Sequence, residues 1–550
     1  MKELILKYAL QNAVKYEGKA SQGAVMGKIL GIKPEMKSKV AELAKEISAT
    51  IKEISRMNLE EQRKKLEKIA PELLEERHEK KENALPDLEN AKQGKVVMRI
   101  APYPSGPLHM GNIKIAMLND ALAKKYEGKL LLVMDDTVGS EEKTISKEAY
   151  KLIPEGLEWL GIGFDKKIIY KSDRLQTYYK HAEELIKKGQ AYVCKCDAET
   201  LRENRSKGKI CECREQGIEK TLDEWKKMHM EYKEGEAALR IKTSMDNPNP
   251  AFRDRVLFRI SEREHARVGH KYRVWPLLEF SWAVDDVLLG VTHVLRGKDL
   301  MIESDMESFI WCIFGWKKPV LLHAGLLSIE GVKISKSKSK KEVESGEYAG
   351  WDDPRTWSVQ SLRRRGIKPE AIRTFCLGLG MNQNEITVPI DSLYAENRKL
   401  LDPFANRYFF IEKPHKLKIS NSPVREAELP LHPDDRGRGV RKFKVSDEFY
   451  LPEKAEKGKV YRLMHLLNFK DGKFISQEYS QELNAKMLHW LPSEGNVEVE
   501  ILMPDGSKKK GIGEHNLKNA KLNEVIQFER FGFCRLDKKG GKYEFWYTHG

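Results

Sequence analysis

The sequence has no long apolar stretch and little cysteine. No run of about 18 apolar residues occurs, so the sequence predicts no membrane-spanning helix. The first residues, Met1 to Leu4, do not lead into a long apolar core, which argues against a signal peptide. Seven cysteines are few for 550 residues, which favours a reducing compartment, the cytoplasm, over a disulfide-linked scaffold. The sequence also shows no internal repeat and no long low-complexity tract.

Acidic residues are outnumbered by basic ones. The chain has 98 Lys and Arg against 83 Asp and Glu, a formal net charge of +15. This excess favours a polyanionic partner, with nucleic acid as the first candidate, although it is also compatible with charge kept for solubility. The length of 550 residues predicts about three or four domains.

A strand, a turn and a helix follow one another between Val96 and Lys125. Val96 to Ile100 is a short apolar run that predicts a buried strand, and helical spacing begins at Ile113. Between them lies a turn rich in Pro, Ser and Gly, with His109 and Gly111 at its end. Free backbone N–H groups and the helix dipole would bind a phosphate there, and a histidine could donate to a phosphoryl oxygen. An ordinary strand, turn and helix is the alternative.

Two further segments suit charged ligands. Lys333 to Ser337 is a loop with two lysines and two hydroxyls, which suits charge developing on a polyphosphate, although such a loop can also be merely solvated. Asp135 follows the apolar run Leu130 to Met134, at the edge where open α/β sheets bind ligands, and could hold an ammonium group. Arg296, near the end of a later apolar run, suits an anion.

Four cysteines form two close pairs, Cys194 with Cys196 and Cys211 with Cys213. Two thiol pairs separated by a short basic loop fit tetrahedral zinc coordination. Such a zinc would brace an insertion and have no catalytic role. The alternative is four free thiols at the base of a loop.

Basic residues alternate with apolar ones in Ala238 to Lys242 and in Val256 to Ile260. This pattern predicts strands with one solvated, basic face, which could touch a nucleic-acid backbone. Arg363 to Arg365 could likewise contact phosphates or form a solvated helix end.

The pattern changes along the chain. Residues 1–90 are polar with helical spacing, and residues 403–550 contain short alternating segments that predict an all-β domain of one or two barrels. Aromatic residues such as Phe443, Phe528 and Phe533 are interleaved with basic ones in this last region. They could stack on unpaired bases or form the barrel core.

The chain resembles the class I aminoacyl-tRNA synthetases. Segments 99–112 and 333–337 resemble the family's "HIGH" and "KMSKS" signatures, and segments 135–137, 350–355 and 527–533 also match. The whole chain is similar to archaeal-type glutamyl-tRNA synthetases. This resemblance implies a multidomain protein with an N-terminal helical domain (1–90) and a Rossmann-type α/β catalytic domain (91–402). It also implies an acceptor-stem-binding insertion at about 190–270, the loop 333–337 and anticodon-binding β-barrels (403–550).

The resemblance implies that ATP, with Mg²⁺, activates L-glutamate to glutamyl-adenylate, which is then transferred to the 3′ end of tRNA(Glu). The resemblance also leaves tRNA(Gln) open as a second substrate. From the residues alone, the polar helices of residues 1–90 form either a small helical domain or solvated arm, or a surface that docks other translation proteins or tRNA, and no membrane partner is expected. His109, Lys333 and Lys336 are the implied catalytic residues, and Arg99, Asp135, Leu278 and Arg296 the implied amino-acid-binding residues. The implied ATP-binding residues are Pro102, Pro104, Ser105, Gly106, His109, Gly111, Asn112, Gly297, Lys333, Ile334, Ser335 and Lys336.

Four positions depart from the family pattern. Asn112 replaces the last histidine of the first signature, and Leu278, Leu300 and Leu326 replace a tyrosine, a histidine and an arginine, respectively. A leucine cannot supply the hydrogen bonds of those side chains. Two alternatives therefore remain: a glutaminyl-tRNA synthetase, and a catalytically weakened paralogue that binds tRNA.

Overall fold

The chain divides into two units, Met1–Ala84 and Leu85–Gly550. The computed structural model describes residues 2–15, 18, 20–33, 36, 40–73, 85–138, 144–332 and 336–550. Within these ranges, no helix is both long enough and apolar enough to cross a membrane.

Helices make up most of the described part of the first unit, which confirms the predicted helical N-terminal region. Leu43, Ile47 and Ile54 recur at helical spacing on the third helix, and all three are buried. The fourth helix begins with a capping box, in which Asn58 and Glu61 each accept a hydrogen bond from the other's backbone amide. The helices are α1 (Lys2–Lys15), α2 (Gln22–Ile32), α3 (Val40–Ile54) and α4 (Leu59–Ile69).

The second unit begins with an α/β region. Its strands are β1 (Val97–Ile100), β2 (Lys129–Met134), β3 (Ile169–Tyr170), β4 (Ala191–Cys194), β5 (Ala238–Ile241), β6 (Val256–Ile260), β7 (Val274–Pro276), β8 (His293–Gly297), β9 (Val320–Ala324), β10 (Leu327–Ile329) and β11 (Ile386–Val388). Its helices are α5 (Met110–Lys125), α6 (Ala149–Trp159), α7 (Leu175–Lys187), α8 (Ala198–Lys207), α9 (Ile218–Met230), α10 (Leu278–Leu288), α11 (Met301–Phe314), α12 (Lys336–Glu344), α13 (Val359–Arg364), α14 (Pro369–Gly378) and α15 (Asp391–Leu401).

Parallel strands form the base of this region. β1 pairs with β2, β2 with β3, and β8 with β9, all in parallel. Thr292 joins the two groups of strands, because its amide donates to the carbonyl of Val97 and its hydroxyl accepts from the amide of Val97, both at 2.9 Å. The predicted strands at 96–100 and 130–134 are therefore confirmed, and their carboxyl ends meet at one edge.

An antiparallel sheet is inserted between β3 and β8. Its strand order is β4-β5-β6-β7. Helices α7 and α9 cover it, and a core around Trp225, Phe258 and Trp275 fills the space between them. These large apolar side chains fix the insertion as a second packed layer beside the parallel strands.

Residues 403–550, all of which the structure describes, contain strands and no α-helix. The largest sheet has the order β12-β25-β26-β27-β23-β24-β13. Phe443, Phe528 and Phe533 are buried, so these aromatic side chains belong to the core and do not offer a stacking surface. The strands are β12 (Arg407–Tyr408), β13 (Phe410–Ile411), β14 (His415–Lys418), β15 (Glu426–Pro430), β16 (Val440–Lys444), β17 (Glu448–Leu451), β18 (Val460–Leu463), β19 (Leu467–Lys470), β20 (Lys473–Ser476), β21 (Lys486–Leu488), β22 (Leu491–Pro492), β23 (Val497–Leu502), β24 (Lys508–Gly513), β25 (Val525–Phe528), β26 (Gly532–Lys538) and β27 (Lys542–His549).

The arginine run at the end of α13 joins this strand-rich region to the α/β region. Arg364 pairs with Asp537 on β26 at 2.8 Å. Arg365 is fully buried and donates to the carbonyl oxygen of Thr548 at 3.0 Å. The prediction that this run contacts phosphates is therefore wrong for Arg364 and Arg365, since both guanidinium groups are already used within the protein.

Candidate active site

The first signature forms the start of α5. His109 is the N-cap residue of this helix, and its Nδ1 accepts a hydrogen bond from the amide of Gly111 at 3.2 Å. Because Nδ1 is the acceptor, the neutral ring carries its proton on Nε2. The helix N-terminus and an Nε2–H donor are thus placed together, which suits the oxygens of a phosphate.

A cavity of about 470 Å³ opens at the carboxyl ends of β1 and β8. Of the predicted ATP-binding residues, Pro102, His109, Gly111, Asn112 and Gly297 line it, as do Arg99 and Arg296 of the predicted amino-acid-binding set. Pro104, Ser105 and Gly106 lie in the adjoining turn, outside this lining. Lys333, Ile334 and Ser335 lie outside the described residues, as does the side chain of Lys336.

Three polar atoms in the wall of the cavity lack a partner among the described residues. The Nε of Arg296 is a buried donor, and the Oδ1 atoms of Asn112 and Asn119 are buried acceptors, all without a hydrogen bond. Buried polar atoms in folded proteins nearly always have partners. Each of these atoms is closed off from solvent, so the unpaired groups lie beneath the surface of the cavity wall.

Two buried arginines in the cavity wall are each held by a carboxylate. Arg99 binds Asp286 through Nε at 2.5 Å and Nη2 at 2.8 Å. Arg296 binds Glu307 through Nη1 at 2.8 Å and Nη2 at 2.6 Å. Burial raises the pKa of Glu307 to about 7, although Arg296 opposes the shift. These pairs orient the two guanidinium groups in a site where an unpaired charge would be costly.

Trp282 stands at the centre of this charged group. Its ring lies 4.7 Å from Arg99, 4.7 Å from the ammonium of Lys171 and 5.0 Å from Arg296. Lys171 in turn pairs with Asp135 at 2.8 Å, and both are buried. Each of the three cations therefore has a cation–π contact in addition to its carboxylate partner.

Sequence reasoning missed Trp282 and Asp286. Both lie on α10 at intervals of four residues from Leu278, so the three share one face of the helix. The spacing of four residues from Leu278 could have identified Trp282 and Asp286 as neighbours of the site. Leu278 itself lies outside the described lining of the cavity, whereas Trp282, one turn further, is part of it.

The four predicted thiols come together in the insertion. The Sγ atoms of Cys194, Cys196, Cys211 and Cys213 all lie within 4.8 Å of one another, with 3.9 Å between Cys194 and Cys211. Zn–S bonds of about 2.3 Å in a tetrahedron place the sulfurs on the order of 3.8 Å apart. The four thiols thus have the ligand type, and nearly the sulfur-to-sulfur spacing, of a tetrahedral zinc site.

Arg240 corrects the prediction of a solvated basic face on β5. Its side chain is only 1% exposed, and Nη1 lies 3.5 Å from the Sγ of Cys194 and 3.8 Å from that of Cys211. Its Nε donates to the carbonyl of Asp254 at 2.8 Å. The guanidinium is a buried cation beside the thiols, so it cannot touch a nucleic-acid backbone.

Three family models match segments of the second unit. A family model described as tRNA synthetases class I (E and Q), catalytic domain, matches residues 95–403. Two models described as the anti-codon binding domain of the same group match residues 405–488 and 487–537.

Full-length relatives are also found. The glutamate–tRNA ligase of Pyrococcus furiosus is 46% identical over 98% of this chain and 97% of its own length. The corresponding ligase of Methanothermobacter thermautotrophicus is 41% identical, with coverage of 100% and 99%. That of Thermococcus kodakarensis is 44% identical, with coverage of 98% and 97%. The family resemblance seen in the sequence is confirmed. The chain belongs to the class I tRNA synthetases of the E and Q group.

Proposed function

We propose that the chain is a glutamate–tRNA ligase, which activates L-glutamate with ATP and transfers it to the 3′ end of tRNA. The observation that carries this proposal is the cavity that brings together His109, the N-terminus of α5 and the two oriented arginines. One end of the cavity suits a triphosphate and the other suits a carboxylate. Relatives of full length bear the same name.

The reaction needs positioning and charge stabilisation and no covalent enzyme intermediate. An oxygen of the α-carboxylate of glutamate attacks the α-phosphorus of ATP, and pyrophosphate leaves. The 2′-hydroxyl of the terminal adenosine then attacks the adenylate carbonyl and loses its proton, and AMP leaves. His109 donates through Nε2 to a phosphate oxygen, and Lys333, Ser335 and Lys336 stabilise the departing pyrophosphate. Lys336, predicted within a loop at 333–337, is the first residue of α12. Mg²⁺ bound to ATP neutralises phosphate charge.

Arg99 is the residue proposed to bind the side-chain carboxylate of glutamate through Nη1, because its Nε and Nη2 already bind Asp286. Arg296 lines the same cavity and adds a second positive charge. Asp135 is the proposed partner of the α-ammonium group. The ammonium group competes with Lys171 for this carboxylate, because Lys171 already binds Asp135 at 2.8 Å. Leu278, at the first residue of α10, can contribute only apolar contact.

Charging assays test this function. Wild-type protein should attach labelled glutamate, and not glutamine, to total tRNA, and Lys336→Ala should lower kcat by about a hundred- to a thousandfold because it removes a charge that stabilises the transition state. Lys318→Ala, at an exposed lysine away from the cavity, is the matched control and should charge normally.

The alternatives give different outcomes. Charging with glutamine alone would place the chain with the glutaminyl enzymes. Binding of tRNA with no charging by either amino acid would make it a weakened paralogue, in agreement with the departures at Leu278, Leu300 and Leu326.

The proposed macromolecular substrate is tRNA(Glu), with tRNA(Gln) as a second candidate. The net charge of +15 and the anti-codon binding domains support tRNA binding. We further propose that the protein works in the cytoplasm and that its N-terminal helices dock other translation proteins.

We also propose that Cys194, Cys196, Cys211 and Cys213 hold one structural zinc ion. Four thiolates around Zn²⁺ give a net charge of about −2, and the buried cation Arg240 partly balances it. Elemental analysis of zinc-supplied protein should give about one zinc per chain, and Cys211→Ser should lose it. Cys312→Ser, at an exposed cysteine outside the cluster, should keep it. Metal-free wild-type protein would contradict this assignment.

A further inference from the structure

A tryptophan closes on the turn that precedes α5. A Cβ atom placed on Gly106 would lie 2.6 Å from Cη2 and 3.0 Å from Cζ2 of Trp351. Distances this short leave no space for a side chain, so the indole ring rests directly on the backbone of the turn. Glycine is required at this position because of Trp351, at least as much as because of a ligand.

Trp351 is itself held firmly. Its carbonyl oxygen accepts hydrogen bonds from Thr356 Oγ1 at 2.9 Å and from Ser358 Oγ at 2.5 Å. The neighbouring Asp352 accepts from Arg364 at 2.8 Å, and Arg364 also binds Asp537. The backbone that carries the ring is therefore tied to the start of α13 and, through Arg364 and β26, to the strand-rich region.

The segment that contains Trp351 also contacts the turn at a second point. The amide of Val359 donates to the carbonyl of Leu108 at 2.9 Å, and Ser358 forms an isolated bridge with His109. Within the turn, the amide of Ser105 donates to the carbonyl of Tyr103. Residues 351–359 therefore hold the turn at Gly106 and again at Leu108 and His109, immediately before the N-terminus of α5.

We propose that Trp351 is a positioning residue for ATP, because its indole sets the position of the turn that presents His109 and Gly111 to the nucleotide phosphates. This inference rests on the proposed use of ATP. A displacement of the turn would move the N-cap histidine and the helix amides together, and small misplacements of binding groups are costly in catalysis.

A double-mutant cycle tests the inference. Gly106→Ala, Trp351→Val and the double variant are compared with wild type in equilibrium dialysis with labelled ATP, in the KM for ATP and in tRNA binding. Gly106→Ala should weaken ATP binding by about tenfold in the wild-type background and by less than about twofold in the Trp351→Val background, because the added methyl group then meets no ring. Affinity for tRNA should be unchanged in all variants. Trp351→Val should itself bind ATP more weakly than wild type, and Trp351→Phe should retain more ATP affinity than Trp351→Val.

Gly163→Ala is the matched control, since a Cβ there would meet nothing within 4 Å. Normal ATP binding by Gly106→Ala would overturn the inference, as would an equal loss in both backgrounds. Charging by the wild type tests the proposed function separately. A wild type that binds ATP and fails to charge tRNA would refute that function, while the dialysis cycle would still decide the role of Trp351.

Discussion

Arg99→Met is expected to lower kcat/KM for glutamate by about a hundred- to a thousandfold. The substitution removes the guanidinium group proposed to bind the substrate carboxylate and leaves Asp286, which is fully buried, without its cation. Truncating one partner of a buried, hydrogen-bonded charge pair between a protein and its ligand costs about 2 to 5 kcal/mol of binding, and each 1.4 kcal/mol corresponds to about a factor of ten. Steady-state aminoacylation at varied glutamate concentration measures the effect.

A second variant separates substrate recognition from folding. Arg99→Met combined with Asp286→Leu replaces the whole ion pair with apolar side chains, which is often neutral for stability. This double variant should regain the thermal stability lost in the single variant and should still fail to charge glutamate. Near wild-type charging by the double variant would show that Arg99 does not bind the substrate.

The sequence was sufficient to predict those parts of the site that are built from residues close together in the chain. The apolar run at 96–100, the turn and the helical spacing after Ile113 are local signals, and they predicted β1, the turn and α5. The four thiols were also identified correctly as one cluster, because two close pairs at the ends of adjoining segments need only one contact to meet.

The sequence did not predict buried charges whose partners lie far away along the chain. Arg99 and Asp286 are 187 residues apart, and no local pattern reveals their pairing. Arg240 and Arg365 were expected to face solvent because alternation and charge usually indicate a solvated face. Both are buried, since partners contributed by other elements satisfy their donors.

Arg441→Met is expected to destabilise the strand-rich region by an amount that grows with pH. Arg441 donates to Glu514 at 2.8 Å, and Glu514 also accepts from the amide of Phe409 at 2.7 Å. Burial raises the pKa of Glu514 to about 7, although Arg441 opposes this shift. Without Arg441 the pKa of this carboxyl must rise further, because the buried anion has lost its cation.

The direction of the pH dependence follows from the linkage between protonation of Glu514 and folding. The folded pKa lies above the unfolded value of 4.5, so the stability from protonated Glu514 is full below pH 4.5 and falls as pH rises to about 7, where it levels off in wild type. In Arg441→Met the fall continues above pH 7 at about 1.4 kcal/mol per unit. The difference in opening free energy between wild type and variant should therefore be about 2 kcal/mol larger at pH 8.5 than at pH 6.

Hydrogen exchange of peptides that contain Phe409, corrected for the intrinsic effect of pH, measures this difference locally. Arg425→Met is the matched control, since Arg425 is 61% exposed in its pair with Asp447 and such a pair contributes little. The control should change protection by less than about 1 kcal/mol at both pH values. An equal loss of protection by Arg441→Met at pH 6 and pH 8.5 would contradict the prediction, because it would mean that Glu514 keeps the same protonation state across this range.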